Sequence, residues 1–149
     1  MKKFSLGCFA IAALAVVGCQ KSDPIVGKWV LDGKSANPMI TAQSMTFNAD
    51  GTFSTSSTIG GTDNRSMTSN DKGKWSWDAD KKLKLNYEDI VFEFKGLDEK
   101  TKSMIETQMK SGKAAIIKEM NGKGPLEVKF EGEGMSIIDP SGTMKFKRG

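Results

Sequence analysis

Two cysteines and no histidine set the chemistry open to this chain. Without histidine, the commonest general base and metal ligand near neutral pH is missing. Cys8 lies within an apolar run and Cys19 closes it. No Gly-x-Ser-x-Gly elbow presents a serine nucleophile, and no glycine-rich loop is built to cradle phosphate. Asp78-x-Asp80 falls in a turn and matches no calcium loop, so a solvated turn is the better account. The recognition chemistry that remains is aromatic. Trp75, Trp77 and Tyr87 combine large apolar area with a polar tip, and Phe92 and Phe94 follow them. Such a set suits holding an apolar or amphipathic small molecule rather than transforming one. No catalytic residue, metal site or cofactor is expected.

The N-terminal stretch has its own chemistry. Met1-Lys2-Lys3 is a short positive start, and Phe4 to Gly18 is apolar or small except for Ser5. This has the form of a signal peptide. It is shorter than the about 20 apolar residues of a transmembrane helix. The polar run Gln20-Lys21-Ser22-Asp23-Pro24 follows at once. Val16-Val17-Gly18-Cys19 resembles the lipobox of bacterial lipoproteins. That resemblance implies a thioether-linked diacylglycerol on Cys19, cleavage after Gly18 and acylation, for example with palmitate, of the new amine. Residues 1–18 would be the lipoprotein signal peptide, 19–24 a lipidated tether and 25–149 the folded domain. The implied location is the bacterial cell envelope. Gln20 after the cysteine resembles outer-membrane sorting where the host has two membranes. Two or more acyl chains anchor stably, because each buried CH₂ contributes about 0.8 kcal/mol.

Composition narrows the field further. The chain carries 22 basic and 18 acidic residues, and without Lys2 and Lys3 the balance is 20 to 18. The basic residues are scattered rather than striped, which argues against nucleic acid as a partner. Loss of Cys8 with the signal would leave no pair for an internal disulfide. About 130 residues suit one domain with one core.

These residues must be positioned by strands. Val26 to Asp32 reads as a first strand, followed by a loop from Gly33 to Thr41. Met45-Thr46-Phe47 and Thr52 to Ile59 flank Asn48-Ala49-Asp50-Gly51, a hairpin with glycine in the left-handed position. Arg65 to Asn70 is a weak strand or loop. Lys74 to Trp77, Leu83 to Tyr87 and Ile90 to Phe94 read as three successive strands with period-2 alternation. Leu97 to Met120 breaks that pattern. Thr101, Met104, Ile105, Gln108, Met109, Ala115, Ile116 and Met120 share a helical face, with Asp98 as N-cap. Gly112 leaves room for two short helices instead of one. Strands resume over 126–131, 135–138 and 143–147. The expectation is a mostly β, antiparallel up-and-down barrel of about nine strands with one helical insertion at about 98–120.

Gly27-Lys28-Trp29 opens the first strand and Arg148 closes the last. This resembles lipocalins and their calycin relatives. The resemblance implies that Gly27, Trp29 and Arg148 close one barrel end, the guanidinium stacking on the indole. The 47–53 hairpin and Gly73-Lys74-Trp75 also look like small bacterial lipocalin-like lipoproteins. The helix falls before the last three strands, unlike the usual lipocalin order.

The inward candidates are Trp29, Phe47, Phe53, Trp75, Trp77, Leu83, Leu85, Tyr87, Phe92, Phe94, Val128, Phe130 and Phe146. They can line a cup, with Trp75, Trp77, Tyr87, Phe92 and Phe94 as the ligand-binding set, or fill a solid interior. Met104, Met109 and Met120 can form a lid or pack as core. The leading expectation is a membrane-anchored envelope lipoprotein binding a small apolar ligand. The alternative is a structural or assembly lipoprotein that meets an envelope protein partner.

Overall fold

A computed structural model describes residues 22–35, 37–60, 64–140 and 142–149. The signal segment, Cys19 and the first tether residues lie outside the described residues. Eight strands form one antiparallel sheet: β1 (Gly27–Leu31), β2 (Ile40–Phe47), β3 (Thr52–Gly60), β4 (Ser66–Trp77), β5 (Leu83–Lys95), β6 (Glu127–Glu131), β7 (Gly134–Asp139) and β8 (Gly142–Arg148). One helix, α1 (Glu99–Gly122), separates β5 from β6. The order across the sheet is β5-β4-β3-β2-β1-β8-β7-β6, so β1 joins two meanders.

The fold is mostly β, but the strand count and closure differ from expectation. Ser66 to Asn70 of the expected Arg65–Asn70 segment and Lys74–Trp77 belong to the one strand β4, and 83–87 and 90–94 to the one strand β5. A register shift between Lys72 and Gly73 sets Tyr87 opposite Gly73 and Asp89 opposite Lys72, leaving Glu88 as the extra residue of a bulge. That one residue flips the parity, so Leu83, Leu85 and Tyr87 share a face with Ile90, Phe92 and Phe94. A change of parity in sequence thus marks a bulge rather than a turn. The sheet is not closed into a barrel. Its edge strands meet through a single bridge, Leu83 to Leu126, with both backbone bonds at 2.8 Å.

The turns follow their local chemistry. Gly51 takes φ 83° between β2 and β3, and Asp50 Oδ1 accepts from the Thr52 amide and hydroxyl at 2.9 and 2.7 Å. At Gly73 the missing side chain lets Phe53 and Tyr87 meet edge to face across β4, ring centroids 5.2 Å apart. A Cβ there would press on Phe53 and on the Asn86 carbonyl.

α1 is one 24-residue helix running through Gly112. Asp98 caps it, accepting from the Thr101 amide at 3.0 Å and its hydroxyl at 2.6 Å, which lowers the carboxyl pKa. The half-buried side includes Ile105, Met109, Ile116, Ile117 and Met120, whereas Met104, Gln108 and Ala115 are exposed. The helical face is therefore turned toward Ile117 relative to expectation. Two side-chain links tie α1 to β5. Asn121 pairs with the Tyr87 backbone, accepting at 2.6 Å and donating at 2.9 Å, like a one-residue strand. Lys113 pairs with Asp89 and holds that carboxyl below its ordinary range.

Candidate binding site

The core gathers at the end of the sheet where the chain enters. Ile25, Trp29, Met45, Phe47, Phe53, Leu83, Met135, Ile137 and Phe146 are buried there as one cluster. Trp29 and Arg148 are direct strand partners, and the guanidinium carbon lies 4.0 Å from the indole centroid. Arg148 also donates to the Val26 and Pro24 carbonyls, both at 2.7 Å. Gly27 takes φ 131° directly beneath the guanidinium, where a Cβ would collide with it. The Trp29 N–H donates to the Ile25 carbonyl at 2.7 Å. Gly27, Trp29 and Arg148 thus meet as one constellation.

The five expected ligand contacts do not gather around one space. Trp75 and Trp77 stack edge to face at 6.2 Å, and Trp75 meets Phe47 likewise at 5.9 Å. Both indole N–H groups are already used. Trp75 donates to the Asn48 carbonyl at 3.0 Å, and Trp77 to Asp23 Oδ2 at 2.7 Å. Asp23, expected in the tether, is therefore held against the domain. Phe92 and Phe94 sit toward the other end. With Ile90, Met109 and Lys113 they line a cleft of about 260 Å³ between β5 and α1. Tyr87 alone faces the inner pocket.

That pocket has a volume of about 140 Å³. Met45, Leu85, Leu126, Ile137 and Met144 form its apolar walls, and Met120, Lys123 and Gly124 bring the end of α1 over it. β5 and β7 stand far apart in sheet order, yet Leu85, Tyr87 and Ile137 line this one space, so the sheet curls around it. Its polar groups are Gln43, Tyr87, Lys123 and Asp139. Gln43 Oε1 is buried with no hydrogen-bond partner among the described residues. Burial, reinforced by the charge of Asp71, pushes the Tyr87 hydroxyl up to about 12. It therefore stays protonated at neutral pH and can donate. Asp71 itself is buried and accepts from the Thr55 hydroxyl at 2.8 Å and from Ser69.

Sequence reading missed Gln43, although it shares parity with Met45 and Phe47. Asn121 pins the end of α1 to β5, and its neighbours Met120 and Lys123 border the pocket. Larger clefts lie more open at the surface, including one of about 400 Å³ lined by Asp23, Pro24, Trp77, Lys81, Val128 and Phe130. Among the described residues, no three acidic, cysteine or histidine side chains converge as metal ligands. No described helix is long and apolar enough to cross a membrane. No protein-family model matches the chain, and neither does any curated protein.

Proposed function

We propose that this chain is a lipid-anchored bacterial envelope protein that holds a small apolar or amphipathic molecule inside a lipocalin-like, incompletely closed barrel. α1 is tied to the edge strand β5 through Asn121 and Lys113. The reading rests chiefly on one observation, the pocket of about 140 Å³ between the packed core and the end of α1. The Gly27–Trp29–Arg148 constellation supports the barrel comparison. Val16-Val17-Gly18-Cys19 supports the anchor, with outer-membrane sorting where two membranes exist. The chain enters beside Asp23 and Trp77, so the anchor would hold that end toward the membrane. The role is binding rather than catalysis, with no cofactor and no nucleic acid.

Two experiments test this. Labelled palmitate should enter the wild-type protein and not Cys19→Ala, which should persist as an uncleaved precursor. Cleaved wild-type protein without acyl mass would remove the anchor. Carbon-13 methyl spectra of the methionines should show Met45, Met120 and Met144 responding saturably to a panel of small apolar molecules, while core Met135 and exposed Met39 stay still. Silence at all three pocket methyls would remove the ligand.

A second reading draws on the packed indoles. With the N–H groups of Trp75 and Trp77 already paired, the aromatic set works as structure. The protein would then be a structural or assembly lipoprotein whose outer face meets an envelope protein partner. Cross-linking from the outer-face residue Val91, 48% exposed, should then capture one stoichiometric partner.

A further inference from the structure

The cleft of about 400 Å³ at the end where the chain enters carries a separate inference, which rests on the lipid-anchor reading above. Asp23, Pro24, Trp77, Lys81, Val128 and Phe130 line it, and it opens to solvent. Asp23 is fastened at its edge by three hydrogen bonds. Its Oδ2 accepts from the Trp77 N–H at 2.7 Å, its Oδ1 from the Ile25 amide at 3.0 Å and its carbonyl from the Val26 amide at 2.9 Å. The tether therefore starts at a fixed point on the cleft. Cys19 lies four residues before it, a span of about 14 Å at full extension. By contrast β4 has 12 residues and runs about 37 Å from Trp77 to Ser66. In every orientation that such a tether allows, a diacylglycerol on Cys19 keeps this cleft within reach of the leaflet surface.

The lining suits that position. Trp77, Val128 and Phe130 are half-buried and Pro24 is exposed, so apolar surface is left in water at the end the anchor holds down. Aromatic side chains with a polar tip favour the membrane–water interface, where the ring meets acyl segments and the tip keeps a hydrogen bond. The Trp77 N–H keeps its bond to Asp23 there. Lys81 takes φ 58° in the turn that Asp78 holds by accepting from the Asp80 and Lys82 amides at 2.9 and 2.8 Å. It forms no ion pair among the described residues. A lysine stem lies along apolar surface while its ammonium reaches lipid phosphate. We propose that this cleft is a membrane-docking surface. Pro24, Trp77, Val128 and Phe130 enter the headgroup and upper acyl region of the leaflet, and the Lys81 ammonium pairs with lipid phosphate. The outer leaflet region is fluid, so it fills an open cleft as it would surround a ridge. The domain is then seated on the bilayer rather than swinging from its anchor.

The test uses the full chain, purified as its host makes it and held in lipid nanodiscs, with the acyl mass read on the same sample. Lys81→Cys and Met39→Cys carry an environment-sensitive dye in turn. In the anchor reading Cys8 leaves with the signal and Cys19 is a thioether, so the introduced cysteine is the one free thiol. Met39 is exposed and its carbonyl pairs with Gly60, at the far end of the sheet. The dye at position 81 should shift to the blue and be quenched by lipids bearing a nitroxide on the upper acyl chain. The dye at position 39 should do neither. Pro24→Glu and Val128→Glu each place a carboxylate in the cleft and should remove about half or more of that quenching while the acyl mass stays. Circular dichroism checks the fold, and the exposed position of Pro24 makes Pro24→Glu the milder change. A dye as wet at position 81 as at position 39, on acylated protein, would overturn the docking and leave the anchor standing. Quenching that survives both substitutions would do the same, because the tether alone then accounts for it. A blue shift without quenching would put the chain's own acyl group or a protein partner in the cleft and also overturn the docking. Cleaved wild-type protein without acyl mass would remove the anchor and this orientation with it.

Discussion

At the end where the chain enters, the interior is a stack of rings; along the inner faces of β2 to β4, further up the sheet, it is a row of polar side chains. Trp29, Phe47, Phe53, Trp75 and Trp77 touch one another or their neighbours at centroid separations between 5.2 and 6.2 Å. Beyond them the facing positions are Gln43, Thr55, Ser57, Ser69 and Asp71. Both sets come from the same strands and the same alternation, so strand formation does not separate them. Side-chain volume does. Rings fill the first region and supply most of its stability. Short polar groups cannot fill the second, and each needs a hydrogen bond to be tolerated there. Asp71, Thr55 and Ser69 satisfy one another there. Gln43 Oε1 is left without a partner among the described residues, on a residue that borders the inner pocket.

The sharpest way to break this contrast is to truncate one aromatic in each region. Trp29 is only 2% exposed, so Trp29→Ala should cost about 3–5 kcal/mol by chemical denaturation. The same truncation of half-buried Phe92 should cost less than half as much. Equal losses would mean that stability is spread evenly along the sheet.

Tyr87 lies at the boundary and offers a pH test. Its hydroxyl ionises near 10 when unfolded and at about 12 when folded. The folded state therefore binds this proton more tightly. Its contribution is complete below pH about 10 and is lost as pH rises through about 12, a change of about 2–3 kcal/mol. Urea melts across this window should fall more steeply for the wild type than for Tyr87→Phe. Parallel curves would place the hydroxyl in water.

A third test addresses the polar wall. Asp71→Ala should cost about 1–3 kcal/mol, because the Thr55 hydroxyl is left buried without its acceptor. Combining Asp71→Leu with Thr55→Val should recover most of that loss, since both partners become apolar. Failure to recover would show that the carboxylate does more than satisfy its neighbours. The smallest effect belongs to the helix that borders both regions. Asp98→Ala removes the N-cap and should cost about 1 kcal/mol, read as faster amide exchange in the first turn of α1 with the aromatic end unchanged.

Much of the architecture was legible because its causes are local. Period-2 alternation marks the strands, Asp50-Gly51 marks the β2–β3 hairpin, and Asp98 followed by Thr101 marks the start of α1. The pairing of Trp29 with Arg148 was legible too, because both fall on inward positions at the two ends of the strand sequence. The candidate site was not. Trp75, Trp77, Tyr87, Phe92 and Phe94 share a chemical type, but the sheet sends them to three different places. Parity assigns a face and says nothing of height along the strand.

Sequence alone therefore determined most strand positions, the turns, the capped helix and the basic residue over Trp29, each set by neighbours a few residues away or by strand parity. Tertiary structure decided the bulge at Glu88, the single bridge between β5 and β6, and the placing of α1 along β5. It also decided which inward side chains pack and which line a space. Those outcomes depend on how strands distant in sequence stagger against one another. The stagger is set by the fit of whole faces, which no local pattern encodes.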